Sequence, residues 1–161
     1  MKSWFFAIVF ISLLHSGFAQ LPDIELKNQD RNYVRLKDVQ GEKLTVVDFW
    51  ATWCKPCLAS IPKINQLAME FQSKGVVFWG INVDSPRNES KVKPFVNSMN
   101  INYPVFLDGD MKLMDNLNVS VMPTILILDH QGKIQFLHEG YQPGDETIIQ
   151  QKIQQLLTGA K

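Results

Sequence analysis

The only two cysteines of this 161-residue chain stand three positions apart in Trp53-Cys54-Lys55-Pro56-Cys57, directly after the apolar run Leu44 to Trp50 and directly before a helical pattern. A strand apolar on both faces belongs inside a sheet, so the fold must carry a central strand into a helix at this point. A cysteine at the mouth of a helix meets backbone N–H groups without helical partners and the positive end of the dipole, and both stabilise a thiolate. Cys54 is therefore the expected nucleophile. Cys57 falls one turn further on the same face, where Cβ atoms begin roughly 5 to 6 Å apart and can close to disulfide distance. It is the expected resolving thiol. Pro56 lies in the first turn, where a missing N–H breaks no helical bond but withdraws one donor from the thiolate. A disulfide across so short a loop restrains the unfolded chain little, so the pair reads as exchange chemistry rather than a staple.

Residues 1–19 have the pattern of a secretory signal, with Lys2, an apolar stretch from Trp4 to Leu14, and Gly17-Phe18-Ala19 at the cleavage positions. The expected product is soluble and periplasmic or otherwise extracytoplasmic; an N-terminal membrane anchor is the alternative, although the apolar stretch falls short of the roughly 20 residues a spanning helix needs. Residues 20–161 have the length of one domain. Lys and Arg total 16, as do Asp and Glu, and removing Lys2 with the leader leaves a net charge of −1. That balance gives no electrostatic footprint for nucleic acid.

Short alternating segments at Ile24 to Leu26 and Tyr33 to Leu36, around the turn-rich Asn28 to Asn32, suggest an opening β-hairpin. Leu58, Ile61, Ile64, Leu67, Ala68 and Phe71 recur at helical spacing after Cys54, with Pro62 expected to kink the helix and Gly75 to end it. Val76 to Val83 reads as a second buried strand. A weaker helical segment over about Glu89 to Met99 is expected to be interrupted by Pro94; a short strand at Val105 to Leu107 and a short helix at Asp110 to Asn116 follow. Thr124 to Leu128 and Lys133 to His138 form a hairpin around Asp129-His130-Gln131-Gly132, and Ile149, Ile153, Leu156 and Leu157 mark one face of a last helix. His130 and His138 are expected at the surface. Alternating strands and helices imply an α/β fold with a mixed central sheet flanked by helices.

The segment Val46-Val47-Asp48-Phe49-Trp50-Ala51-Thr52-Trp53-Cys54-Lys55-Pro56-Cys57, together with Pro62, Val121-Met122-Pro123-Thr124 and Gly140, resembles the thioredoxin superfamily, and more narrowly its exported thiol-disulfide oxidoreductases of the TlpA and ResA type. The resemblance implies a thioredoxin-like fold with an N-terminal β-hairpin and an insertion between the second buried strand and the cis-Pro strand. It implies a cis Pro123 facing the dithiol, with Met122 offering its backbone to an extended substrate segment in the manner of strand addition. It makes Gly140 a substrate-contacting glycine and Trp53 a wall of the substrate groove, with Trp50 packed beneath. Many exported relatives have Asn at the position of Asp48, and some have Glu at the position of Ser60, so this site is closer to ordinary thioredoxin.

Asp48 interrupts an apolar strand, where an ionised carboxylate is costly unless paired or protonated. The resemblance makes it the buried acceptor of the Cys57 thiol proton; the plainer alternative is an acid capped by backbone donors or a lysine. Lys55 adds positive potential beside Cys54 without a catalytic role. The implied activity is reduction of disulfides in exported proteins, apocytochrome cysteines among them, with a membrane thiol-disulfide electron donor restoring the dithiol and the enzyme acting as a monomer. Disulfide oxidation or isomerisation is the nearest alternative, since direction depends on reduction potential. A peroxide-reducing site would need a proline upstream that this chain lacks. A copper-binding chaperone on the same fold is a further alternative, but two closely spaced cysteines without an added histidine suit it poorly. No cofactor beyond the Cys54-Cys57 pair, and no metal, is implied.

Overall fold

The structure is a computed structural model that describes residues 20–159; the expected signal peptide, residues 1–19, lies outside the described residues. In chain order the strands are β1 (Glu25–Asn28), β2 (Tyr33–Arg35), β3 (Leu44–Trp50), β4 (Val76–Asn82), β5 (Val105–Leu107), β6 (Thr124–Asp129) and β7 (Ile134–Glu139). The helices are α1 (Lys55–Phe71), α2 (Glu89–Ser98), α3 (Lys112–Asn116) and α4 (Asp145–Thr158). The strands form one sheet in the order β2-β1-β5-β4-β3-β6-β7. Parallel pairing joins β3 to β4 and β4 to β5, while β6, β7, β1 and β2 pair antiparallel. The sheet is therefore mixed, as the alternation of elements in the sequence predicts.

Every residue of β3 is buried, because its neighbours β4 and β6 flank it in the sheet and helices cover it. Alternation places Leu44, Val46, Asp48 and Trp50 on one face and Val47 and Phe49 on the other. On the first face Leu44 and Val46 pack with Ile64, Leu67 and Phe71 of α1 and with Ile149 and Ile153 of α4. The Trp50 ring stacks on Phe95 of α2, with centroids 5.3 Å apart. Val47 and Phe49 pack with Trp79, Leu126 and Leu128 and with Leu113 and Met114 of α3. Each fully buried Leu, Ile or Phe in these layers contributes roughly 1.5 to 3 kcal/mol.

The opening hairpin is closed by Asn28, whose Oδ1 accepts the backbone N–H groups of Asp30 and Asn32 at 2.9 and 3.0 Å. β1 also pairs with β5, which joins the hairpin to the sheet; alone it would be marginal in water. Asp108, fully buried, accepts the N–H groups of Leu113 and Met114 at 3.0 and 2.9 Å and so caps α3.

The expectation for Pro94 resolves differently from the reading of the sequence. The helix α2 is not interrupted by Pro94: it runs from Glu89 to Ser98 with that residue inside it. Pro94 and Ser90 are both exposed, so the carbonyl that loses its donor faces water, while buried Val92 and Val96 hold the helix to the core. α1 runs from Lys55 to Phe71 with exposed Pro62 inside it. A 3-10 turn at Gln72–Lys74 and Gly75, at φ +79°, then end it, a backbone conformation glycine adopts without steric cost.

Candidate functional site

β3 ends at Trp50, and after the four residues Ala51 to Cys54 the chain enters α1. Cys54 is the N-cap residue of that helix; its N–H donates to Ala51 O at 3.1 Å, and its Sγ accepts the N–H of Cys57 at 3.3 Å. Pro56, within the first turn, removes a donor only where the helix has no use for one. Cys54 and Cys57 are joined in a disulfide with Cα atoms 5.3 Å apart. Cys54 is 5% exposed and Cys57 is 0% exposed, so of the two only Cys54 reaches solvent.

The turn between β3 and α1 is braced from β4. Asp84, buried just beyond that strand, accepts the Thr52 N–H at 2.9 Å on Oδ2 and the Thr52 hydroxyl at 2.9 Å on Oδ1. Asn82 adds its amide N–H to Asp84 Oδ2 at 2.8 Å and accepts the Asp84 N–H at 3.1 Å. These residues were not singled out from the sequence. The available signal was two polar residues, Asn82 and Asp84, closing an otherwise apolar run.

Asp48 lies in the middle of β3, 1% exposed. The alternative, an acid capped by backbone donors or a lysine, finds no such partner among the described residues. Oδ2 accepts one hydrogen bond, from the Tyr103 hydroxyl at 3.1 Å, and Oδ1 is buried without a partner. Burial pushes the carboxyl up to about 7, against the pull of the Tyr103 hydrogen bond. Such a group exchanges a proton near neutral pH. No hydrogen bond joins it to either cysteine.

At the same end of the sheet, just before β6, the Met122-Pro123 peptide is cis. Pro123 is buried and its carbonyl accepts the Gly140 N–H at 2.7 Å; the Val121 carbonyl accepts the Thr124 hydroxyl at 2.7 Å. Between them, the N–H and C=O of Met122 engage in no hydrogen bond within the described residues. The half-buried Met122 side chain packs on the cluster that contains Cys54 and Cys57. Gly140, at φ +78°, has open space where a Cβ would stand. Trp53 is 61% exposed, whereas Trp50 is fully buried. The structure thus brings Trp53, Met122, Pro123 and Gly140 to the end of the sheet that carries the cysteines and places Asp48 beneath, within β3.

His138 departs from its expected place at the surface. Its side chain is 19% exposed and Nε2 lies 3.0 Å from Asp145 Oδ2, tying β7 to the start of α4, because β7 presents its face to that helix. His130 is exposed, as expected. Among the described residues, no cluster of three His, Cys, Asp or Glu side chains suits a metal ion, and no helix is long and apolar enough to cross a membrane.

Comparison with known proteins agrees with this geometry. Residues 19–137 match the AhpC/TSA family. Thiol-disulfide oxidoreductase ResA of Bacillus thuringiensis (strain Al Hakam) is 32% identical over 71% of this chain and 65% of its own length; the chain therefore spans somewhat under two thirds of that relative. Thioredoxin-like protein YneN of Bacillus subtilis (strain 168) is 33% identical over 75% of this chain and 70% of its own. A crystal structure from Chlorobium tepidum, described as a thiol:disulfide interchange protein DsbE, superposes with a TM-score of 0.79 at 28% identity, covering 87% of this chain and 96% of that one.

Proposed function

The chain belongs to the AhpC/TSA family and has a thioredoxin-like fold, and from that premise we propose that it is a thiol-disulfide oxidoreductase that reduces disulfides in exported proteins. The observation that carries the reading is the Cys54-Cys57 disulfide at the start of α1, with Cys54 outermost and its sulfur held by the Cys57 N–H.

In the reduced protein the Cys54 thiolate attacks a disulfide of the partner. A bond forms between Cys54 Sγ and one partner sulfur, and the other partner sulfur leaves as a thiolate. Cys57 then gives its proton to the Asp48 carboxylate, attacks Cys54 Sγ and forms the disulfide seen in the structure, releasing the second partner sulfur. Two electrons pass from the cysteine pair to the partner, and the released thiolates take protons from solvent. A dithiol donor, of the membrane thiol-disulfide kind, reverses the change. The substrate is a protein segment in extended conformation: Met122 offers one free N–H and one free C=O, the complement of a single strand residue, and exposed Trp53 supplies an apolar wall. The leader-like pattern of residues 1–19 supports service outside the cytoplasm.

The test is a trap. Reduced Cys57→Ser protein mixed with a disulfide-bonded client should accumulate a mixed disulfide through Cys54, seen by non-reducing electrophoresis and mass spectrometry, and turnover should stop. Reduced wild type should leave the client with two free thiols per cycle. Failure of Cys57→Ser to hold a client, with no thiol appearing in the client of the wild type, overturns the proposal.

A further inference from the structure

Asp48 has surroundings that its own strand does not explain. Its single partner, Tyr103, comes from the segment between α2 and β5, far from the strand-turn-helix unit that carries the cysteines, and is itself only 5% exposed. The ring reaches the carboxyl because of Gly80. In the parallel register Gly80 is the β4 neighbour of Asp48, and a Cβ there would stand 3.1 Å from Tyr103 Cε2 and 2.9 Å from Trp50 Nε1. The space a side chain would fill is the slot the ring occupies. Phe78 flanks the ring, centroids 6.4 Å apart, and the Gly80 N–H donates to Pro104 O at 2.9 Å, which pins the backbone next to Tyr103.

We propose that Tyr103 is the positioning residue of the exchange site and governs proton uptake by Asp48, its hydroxyl holding Oδ2 and leaving Oδ1 free to receive the proton. The consequence for turnover rests on the reading of Asp48 as the acceptor for Cys57. Among the described residues Tyr103 is the one hydrogen-bond partner of Asp48; the Trp50 indole N–H beside Gly80 is buried without a partner and makes no bond to it. Gly80 and Ile125 flank it in the sheet. On that face α1 buries Cys57, Ser60, Ile61 and Ile64, α4 buries Ile149 and Ile153, and α2 brings up Phe95. Of these only Cys57 titrates, once reduced. His138 stands across the sheet beside Ile125 and is tied to Asp145, and Lys63 is paired with Glu146. Burial and the adjoining carboxylate push the Tyr103 phenol well above its ordinary value, so it stays protonated, and a donor, at neutral pH. A donor to one carboxylate oxygen favours the ionised form.

The test compares wild type with Tyr103→Phe, which keeps the ring and removes only the hydroxyl. Carbon-13 NMR follows the Asp48 carboxyl in the oxidised protein, and a pH profile follows resolution of the mixed disulfide. In Tyr103→Phe the carboxyl midpoint should rise by about one unit, and the acid limb of the profile should rise with it, a loss of about fivefold at pH 7. A second protein with 3-fluorotyrosine at position 103, a stronger donor of the same shape, should move both quantities the other way and keeps the test open if the Phe protein fails to fold. A carboxyl midpoint unchanged by either substitution overturns the proposal. A midpoint that shifts while the rate profile stays fixed upholds the hold of Tyr103 on the carboxyl and overturns the acceptor role assigned to Asp48.

Discussion

Cys54 and Cys57 share one turn of helix but not one environment, and the difference should be measurable in the reduced protein. Cys54, at the N-cap position and 5% exposed, faces the unpaired donors of the helix start; Cys57 is 0% exposed within the first turn. Alkylation of the reduced protein at pH 7 should modify Cys54 at least about tenfold faster than Cys57, as read by peptide mass spectrometry over time. Equal rates would remove the basis for the order of reaction. At this scale the sequence was legible where the signal was local. A cysteine pair beside a helix start and an acid inside an apolar strand announce themselves. Tyr103 did not, because its one telling contact is made with a residue 55 positions away, and nothing in its neighbours along the chain marks it.

The elements were legible wherever hydrophobic periodicity was strong: β3, β4, β6, α1 and α4 lie close to where the apolar pattern places them. The pairing of β1 with β5 was not, since strand pairing between distant segments leaves no local trace. Proline misled for a related reason. Its cost in a helix depends on whether the freed carbonyl can reach water, which only the packed structure decides. Because Pro94 sits exposed inside α2, Pro94→Ala should restore a donor to Ser90 and raise stability by about 1 kcal/mol, seen as a higher urea midpoint. The β3-α1 turn should respond in the opposite direction. Asp84→Ala leaves the Thr52 N–H and hydroxyl and the Asn82 amide without their acceptor, a loss of about 2 to 3 kcal/mol. Thr52→Val, which deletes one hydroxyl bond, should cost about 1 kcal/mol. A Thr52→Val loss as large as that of Asp84→Ala would mean that the backbone bond and Asn82 contribute nothing.

For the whole molecule, the buried carboxyl in β3 ties folding to pH. Asp48 is raised from 3.8 to about 7 on folding. Below about pH 4 the folded and unfolded chains both hold the proton, and no penalty arises. Between about pH 4 and 7 the unfolded chain ionises while the folded one retains its proton, so stability falls as pH rises. Above the folded value the full cost of roughly 4 kcal/mol is present. Asp48→Asn lacks this dependence. It should be more stable than wild type at pH 8 by up to about 4 kcal/mol relative to their difference at pH 4, measured by denaturant titration of both oxidised proteins. A constant difference across that range would show that Asp48 does not titrate between folded and unfolded states. Asp108, whose carboxyl burial also pushes up, is common to both proteins and cancels in the comparison.

The backbone that carries the cysteines is secured apart from the sulfur-sulfur bond. Cys54 N–H donates to Ala51 O, Leu58 N–H donates to Cys54 O, and the preceding turn is fastened to Asp84. Opening the disulfide therefore need not redraw the outer contour of the molecule. Under the function proposed above, a client would meet the same backbone contour whether the protein is charged with electrons or spent. Sorting would then fall to the chemistry after docking: a visitor that arrives at the wrong moment leaves unchanged.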